Sequence, residues 1–315
     1  MQNSIPWIEK YRPTSIDDIT LDEQVEKQIR IFLQDRKDVH LIITGLPGIG
    51  KTTTVRCIAK EILKDNLDKG YLELNAAEDR GIRSISHIVP SFCKRVANFT
   101  ESKIILLDEA DNMTSKCQND INSMIKLYGH KTKFIFTCND STKIIEDIQS
   151  VCSIVRFKKL TVNQISKYLE KICQKEGIEY NNSGLKTICY ISDGDMRKSI
   201  NNLQLTAYAY NKINKPCVLK ICKIPDPEEL KNVIDLCLKS KLDEANKELE
   251  NIISQGYHYS DIVTGFTYVL IHYDINEDLK LKLIDIVNKT KIAVSIGLRS
   301  KLQLTAMIGR MISAH

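Results

Sequence analysis

A glycine-rich loop with the composition of a phosphate cradle follows an apolar run near the N-terminus. Residues 45–52 read Gly-Leu-Pro-Gly-Ile-Gly-Lys-Thr, which matches the pattern G-x-x-x-x-G-K-[ST]. Glycines let successive backbone N–H groups turn towards phosphate oxygens, and the positive N-terminal end of the following helix strengthens the attraction. In this pattern Lys51 contacts the β- and γ-phosphates, and Thr52 is a ligand of Mg²⁺. The predicted nucleotide-binding residues of the loop are Gly45, Leu46, Pro47, Gly48, Ile49, Gly50, Lys51, Thr52 and Thr53.

An acidic pair ends another apolar run. Asp108 and Glu109 follow the sequence Ile-Ile-Leu-Leu of residues 104–107. A carboxylate at such a strand end can hold Mg²⁺ opposite Thr52, and a neighbouring glutamate can polarise a water molecule for attack on the γ-phosphate. We therefore predict Asp108 and Thr52 as metal ligands and Glu109 as the catalytic base. ATP is the predicted nucleotide because the sequence has no N-K-x-D guanine signature.

Two further polar residues fit the same site. Asn139 follows the apolar run of residues 134–137, and its amide could hold the attacking water or sense the γ-phosphate. Arg197 lies at the start of a predicted helix and could reach the phosphates from above. Without the other motifs, an asparagine such as Asn139 would more often be a turn residue, and an arginine such as Arg197 would more often be a solvated surface side chain. The prediction for both depends on the loop and the acidic pair.

Short apolar runs alternate with helical patterns through the first 160 residues. The runs begin at residues 40, 71, 104, 134 and 154, and they contain few polar residues, as strands buried on both faces do. The alternation predicts an α/β domain with a parallel sheet and flanking helices. Such a sheet would place the loop, the acidic pair and Asn139 at one edge.

The rest of the chain is expected to be helical. Residues 161–222 resemble helices broken near Gly177, Gly184 and Gly194, and the sequence Ile-Pro-Asp-Pro at 224–227 resembles a stiff hinge. We therefore predict an ATP-binding core over residues 1–160, a small helical lid over 161–224, and an all-α domain over 225–315.

Composition and charge limit the possible classes of protein. The 315-residue chain has a net charge of +5, but residues 226–315 carry 11 basic and 13 acidic residues, so the excess lies in the front part. A polyanionic partner is therefore expected only there. The N-terminus lacks a signal-peptide pattern and no apolar run is long enough to span a membrane, so neither secretion nor membrane insertion is expected. The ten scattered cysteines predict buried thiols in a reducing compartment.

Together the motifs resemble the small subunits of replication factor C, which are clamp-loader AAA+ ATPases. The segment Pro-Trp-Ile-Glu-Lys-Tyr-Arg-Pro at 6–13 is similar to the opening motif of that family, which packs near the adenine and adds Tyr11 and Arg12 to the predicted site. Residues 74–82 resemble its Asn-Ala-Ser-Asp-x-Arg-Gly-Ile stretch. Asp-Glu-Ala-Asp at 108–111, Asn139 as sensor 1 and Gly194–Arg197 as sensor 2 also match.

The resemblance implies a ring of five subunits that opens a sliding clamp and loads it on primer–template DNA. It implies ATP and Mg²⁺ as cofactors, and other clamp-loader subunits, a clamp and the DNA backbone as partners, with no membrane partner. Arg80 and Arg83 are the expected phosphate contacts on the DNA. The C-terminal helices would form the collar that joins the subunits.

Three positions depart from the family pattern. Ser-Val-Cys at 150–152 stands where the family has Ser-Arg-Cys, whose arginine acts on the ATP of a neighbouring subunit. Asn122-Ser123 stands in place of an Arg-Arg pair. Ser86 stands in place of an arginine that contacts DNA in the family. Pro90, one turn further on, is expected to kink or restart its helix. The pattern suggests a subunit that binds its own ATP but lacks the groups it would offer to a neighbour, unless a residue such as Arg156 compensates.

Two alternatives are a branch-migration helicase and a scaffold subunit that binds ATP without hydrolysing it. The absence of a winged-helix pattern after residue 226 disfavours the first, and the presence of Glu109 disfavours the second. The abundance of Ile, Lys and Asn suggests an AT-rich genome, as in a protist or a large DNA virus. An intracellular location is expected, nuclear in a eukaryote, and in the host nucleus or a cytoplasmic factory for a virus.

Overall fold

The computed structural model describes residues 5–34, 39–76, 79–95 and 103–314, without the side chains of residues 79–86. Its contacts divide the chain into two compact units, residues 1–213 and 214–315. The sequence-based boundaries at residues 160 and 224 remain predictions.

A parallel sheet forms the centre of the first unit. Among the described residues its order is β2-β3-β4-β1-β5, and every neighbouring pair is parallel. Leu41 and Ile43 face one layer of the core and Ile42 faces the other, so both faces of β1 are buried. The predicted α/β fold is confirmed. The strands are β1 (His40–Thr44), β2 (Tyr71–Asn75), β3 (Lys103–Asp108), β4 (Thr132–Cys138) and β5 (Cys152–Arg156).

Helices cover both faces of this sheet. The buried side chains Val25, Ile29 and Ile58 of α2 and α3 belong to one core layer, and Ile121 of α6 belongs to the other. In this part of the unit the helices are α1 (Trp7–Lys10), α2 (Glu23–Gln34), α3 (Lys51–Leu63), α4 (Leu67–Gly70), α5 (Asp79–Lys94), α6 (Ser115–Tyr128) and α7 (Glu146–Ser150).

Helix α5 continues through Pro90, so the expected restart is wrong. Proline removes one backbone donor but has a φ close to the helical value. The C-terminal end of α5 is also capped from outside the helix, because the buried ammonium of Lys103 donates to the carbonyls of Phe92, at 2.7 Å, Cys93 and Arg95. Cations are favourable at this end of a helix.

The lid consists of α8 (Val162–Glu176), α9 (Asn182–Ser192) and α10 (Met196–Tyr210). Side chains cap each helix start, since Thr161, Asn181 and Asp195 accept hydrogen bonds from the first-turn amides. The break expected at Gly184 is wrong, because Gly184 donates its N–H to the Asn181 cap inside the first turn of α9.

A small sheet in the lid was not predicted. Strands β6 (Glu179–Tyr180) and β7 (Lys212–Ile213) pair in parallel, although no strand was expected after residue 160. Two residues are too few to show an alternating pattern, so this pairing left no periodic signal in the sequence.

The second unit is helical around its own apolar core. Phe266 and Leu304 are fully buried there, and no helix among the residues that the structure describes is long and apolar enough to cross a membrane. The helices are α11 (Lys215–Cys222), α12 (Pro227–Leu238), α13 (Leu242–Ser254), α14 (Tyr259–Ile271), α15 (Glu277–Ser295) and α16 (Lys301–Ser313).

All ten cysteines are free thiols, and most of them are buried. Burial raises the pKa of Cys57 to about 11 and that of Cys237 to about 12. Alkylation requires the thiolate, so these side chains are protected both by limited access and by their protonation state.

We therefore predict that iodoacetamide at pH 8 modifies the partly exposed Cys217 and Cys222 before Cys57 and Cys237. A pKa near 11 lowers the thiolate fraction by a factor on the order of 100 relative to an ordinary thiol. Peptide mass mapping over time would measure the order, with a urea-unfolded sample as the control in which all ten react. Equal rates at Cys57 and Cys217 in the native protein would contradict the packing described here.

Candidate nucleotide site

The carboxyl ends of β1, β3 and β4 open into a cleft of about 610 Å³ in the first unit. These strands are neighbours in the sheet, so the segments that follow them lie side by side. Ligands of open α/β sheets bind at this edge. The residues that line the cleft include Tyr11, Arg12, Pro47, Gly48, Ile49, Gly50, Lys51, Thr52, Thr53, Asp108, Glu109, Asn139 and Arg197.

The glycine-rich loop connects β1 to α3. Gly48 and Gly50 have φ values of +73° and +95°, which residues with a Cβ rarely adopt, and α3 begins at Lys51. Residues 47–53 line the cleft. Gly45 and Leu46 do not line it, but their carbonyls accept hydrogen bonds from the Lys51 ammonium at 2.7 and 2.8 Å. The loop therefore holds its own lysine in place.

The acidic pair lies opposite the start of α3. The Thr52 hydroxyl is 3.0 Å from both carboxylate oxygens of Asp108, the last residue of β3. Hydroxyl and carboxylate oxygens are the ligand type that Mg²⁺ prefers. Among the described residues, no group of three or more His, Cys, Asp or Glu side chains is placed so that it could hold a metal ion by itself. Thr52 and Asp108 fit an ion that takes its other ligands from phosphate and water, and they do not fit a cage made only of protein.

Asn139 lies beside the loop lysine. Its side-chain oxygen accepts a hydrogen bond from Lys51 Nζ at 2.8 Å, so the structure brings the ends of β1 and β4 together. Burial lowers the pKa of Lys51, and the nearby Asp108 carboxylate opposes that shift. A half-buried ammonium with neutral hydrogen-bond partners would gain energy from an anionic ligand.

The lid contacts the glycine-rich loop directly. The Met196 N–H, in the first turn of α10, donates to the Gly48 carbonyl at 3.0 Å, and Arg197 lines the cleft one residue further on. Asp195 caps α10 so close to the loop that a Cβ on Gly48 would overlap its carboxylate. A Cβ at residue 48 would therefore displace the Asp195 cap and would also be strained by the positive φ.

The N-terminal segment contributes Tyr11 and Arg12 to the cleft but is attached to the lid. The Tyr11 hydroxyl donates to Glu176 at 2.6 Å, and the Tyr168 hydroxyl donates to the Tyr11 carbonyl. Trp7 is buried and packs edge-on against the Tyr208 ring. Burial raises the pKa of Tyr11 above its ordinary value, which already lies well above neutral pH.

Sequence reasoning missed several polar residues of the cleft, among them Arg56, Glu73 and Thr137. Arg56 of α3 forms two hydrogen bonds with Glu73 of β2, at 2.7 and 2.9 Å, and Thr137 of β4 contacts Asp108. None of them belongs to a recognised motif. Their neighbourhood depends on strand order, which a single sequence does not give.

The remaining positions singled out in the sequence do not line the cleft, or their side chains are not among those that the structure describes. The side chains of Arg80, Arg83 and Ser86 are outside the described residues. Val151 follows α7 with 41% of its surface exposed. Asn122 has an uncharged side chain that is buried and donates to Asp147 at 3.0 Å.

Comparison with known proteins covers nearly the whole chain. Residues 41–160 match the AAA family (ATPases associated with various cellular activities). Residues 167–207 match the RCF1/5-like AAA+ ATPase lid domain, and residues 225–310 match the replication factor C C-terminal domain.

The chain is 66% identical over 312 residues to a replication factor C small subunit of Acanthamoeba polyphaga mimivirus, covering 99% of this chain and 98% of the relative. It is 36% identical over 311 residues to replication factor C subunit 4 of Saccharomyces cerevisiae, covering 98% and 95%. A solved structure of the Holliday junction branch migration motor RuvB of Thermotoga maritima aligns with a TM-score of 0.57 and 17% identity, over 80% of this chain and 90% of that one. That likeness shows the fold alone.

The fold and the site define an AAA+ P-loop domain with a helical lid. A branch migration motor shares the fold, so the fold identifies the class and not the family. The full-length similarity and the C-terminal match are more specific. The chain belongs to the small subunits of replication factor C, the clamp-loader family.

We predict that Gly48→Ala weakens ATP binding more than Gly50→Ala does. Both substitutions place a Cβ at positive φ, but only the Cβ at residue 48 overlaps Asp195, because nothing lies within 4 Å of the position at residue 50. Displacing the Asp195 cap adds a loss of about 1 kcal/mol. Thermal unfolding and ATP titration of the two variants would measure the difference. Equal losses would show that the lid contact does not constrain the loop.

Proposed function

We propose that this chain is an ATP-hydrolysing small subunit of a heteropentameric clamp loader, which opens a sliding clamp and loads it on primer–template DNA. The observation that carries the proposal is the convergence of Thr52 with Asp108, and of Lys51 with Asn139, in one cleft beneath the lid. The similarity to replication factor C subunits over nearly the whole chain supports the clamp-loading role.

Each residue of the cleft has a chemical task in this proposal. Lys51 and the amides of residues 48–52 bind the phosphates of ATP, and Thr52 and Asp108 hold Mg²⁺, which neutralises phosphate charge when it is bound. Glu109 accepts a proton from the attacking water, and Asn139 orients that water. Arg197 contributes positive charge from the lid.

The N-terminal segment completes the pocket. Tyr11 and Arg12 would lie against the adenine and ribose, as the family resemblance implies. Because Tyr11 is hydrogen-bonded to Glu176 and Tyr168 of the lid, a ligand that contacts this segment also contacts the lid through it. Nucleotide binding would therefore stabilise one arrangement of lid and core.

The subunit is proposed to use its own ATP but to give a neighbour no arginine finger. Val151 occupies that position with an exposed apolar side chain, and Asn122 is buried. Neither can stabilise negative charge on a phosphate held by an adjacent subunit. Arg156, exposed at the end of β5, is the alternative donor.

DNA contact is proposed through Arg80 and Arg83, to phosphates and without reading bases. The net positive charge of residues 1–225 supports contact on that part of the chain, and the near-neutral residues 226–315 suit contact with other subunits. The partners are the other loader subunits, the clamp and the DNA backbone.

In the assembled complex, we predict that Glu109→Gln lowers ATP turnover at this site by about 100-fold or more while ATP remains bound, because the base is lost and the phosphate contacts stay. Labelled-ATP retention and phosphate release measure the two steps. Glu61→Gln, on an exposed part of α3, is the control and should behave as wild type. Unchanged turnover in Glu109→Gln would favour the scaffold alternative.

We predict that Val151→Arg raises the ATP turnover of the adjacent subunit. An arginine finger contributes about 10³–10⁵ in rate in related NTPases, and even partial insertion should give at least a tenfold rise. Val162→Arg, another exposed valine changed to arginine, is the matched control. If the wild-type chain already activates its neighbour fully, the finger-deficient proposal is wrong.

We predict that Arg80→Ala reduces the salt dependence of DNA binding by the complex. Each lost phosphate contact lowers the slope of log Kobs against log salt by about 0.9. Fluorescence anisotropy at several salt concentrations would measure it. An unchanged slope would remove Arg80 from the proposed contacts.

A further inference from the structure

Thr137 occupies a position from which it touches both members of the acidic pair. It is the next-to-last residue of β4, and the register pairs its predecessor Phe136 with Leu107 of β3. Thr137 therefore lies beside Asp108 at the carboxyl edge of the sheet. The residue lines the cleft with only 1% of its surface exposed, so solvent does not replace its hydrogen bonds easily.

The hydroxyl of Thr137 uses both its donor and its acceptor capacity on this pair. It donates to Oδ1 of Asp108 and accepts the backbone N–H of Glu109 at 3.3 Å. A hydroxyl has one proton to donate. Because Glu109 supplies the proton on one side, the hydroxyl proton of Thr137 is directed to the carboxylate.

Glu109 needs such a constraint. Its φ of +54° and ψ of +41° are left-handed, a conformation that is unfavourable for a residue with a Cβ and that persists only when surrounding contacts enforce it. The bond to Thr137 is one such contact, and the bond from the Asn112 N–H to the Glu109 carbonyl, at 2.9 Å, is another. This backbone conformation sets the direction of the Cα–Cβ bond of Glu109, and the Asn112 side-chain amide donates to the Glu109 carboxylate at 3.4 Å.

We propose that Thr137 is a positioning residue that sets the Mg²⁺ affinity of the site and the orientation of Glu109. This inference rests on the proposed ATP site. Thr52 also contacts Asp108, but its hydroxyl is itself a predicted metal ligand. Thr137 can keep its hydrogen bond to the carboxylate whether or not a metal is bound. It acts through its hydrogen bonds to Asp108 and Glu109.

The test is a Mg²⁺ titration of the full chain with a fluorescent N-methylanthraniloyl-ATP probe. Thr137→Val keeps the shape of the side chain but removes the hydroxyl, and loss of such an outer partner raises the Mg²⁺ concentration at half-saturation by about 10–100-fold. Probe affinity in EDTA should change less than about twofold, because phosphate binding through Lys51 is retained. Thr137→Ser should restore a near-wild-type midpoint.

Thr132→Val is the matched control, since Thr132 is buried at the opposite end of the same strand. It should leave the Mg²⁺ midpoint within about twofold of wild type. If circular dichroism shows that Thr137→Val does not fold, Thr137→Ala is used in its place. It also removes the hydroxyl, has a smaller side chain, and is measured in the same Mg²⁺ titration.

Equal Mg²⁺ midpoints for the Thr137 and Thr132 variants, or failure of Thr137→Ser to restore binding, would overturn the inference. Those results would leave the ATP site itself intact. A wild-type chain whose probe binding does not depend on Mg²⁺ at all would instead contradict the proposed ATP site, and the role of Thr137 would fall with it.

Discussion

The Thr52 hydroxyl shares its one proton between the two carboxylate oxygens of Asp108, each 3.0 Å away, and so joins the first helix after the glycine-rich loop to the centre of the sheet. This contact is possible because parallel strands end at one edge and because β3 and β1 are each next to β4. The loop, the acidic pair and Asn139 are brought within contact distance by that order. The lid and the N-terminal segment then surround a site whose floor the sheet has already formed.

Much of this arrangement could be predicted from the sequence because it depends on local patterns. Short apolar runs mark strands that are buried on both faces, and the motif residues follow those runs directly. The five strands of the main sheet and the position of the cleft follow from these two facts. Residues 47–52, Asp108, Glu109 and Asn139 all lie where their strands end.

Other features could not be predicted because they depend on contacts between distant segments. The overlap of Asp195 with any side chain at residue 48 joins positions 147 residues apart. The partnership of Thr137 with Asp108 requires the order of the strands, and the pair Arg56–Glu73 joins a helix to the edge strand. Local rules also failed at Pro90, which lies inside α5.

In the proposed function, the side chains that act on this subunit's own ATP differ from those at the positions that would act on a neighbour's ATP. Those that serve its own nucleotide are held by hydrogen bonds within the first unit, as Lys51 and Thr137 are. Those at the positions that would serve a neighbour are apolar or buried, as Val151 and Asn122 are. In a ring of unlike subunits, such an asymmetry is a physical basis for assigning different tasks to different positions.

The convergence of the loop and the acidic pair on one nucleotide is tested most directly by calorimetric titration of the purified chain with ATP in the presence of Mg²⁺. We expect one ATP to bind per chain. The affinity for ATP should be at least about tenfold weaker for Asp108→Asn than for the wild type, and at least about tenfold weaker for the wild type without Mg²⁺ than with it. Failure to bind ATP, both alone and together with the partner subunits, would contradict it.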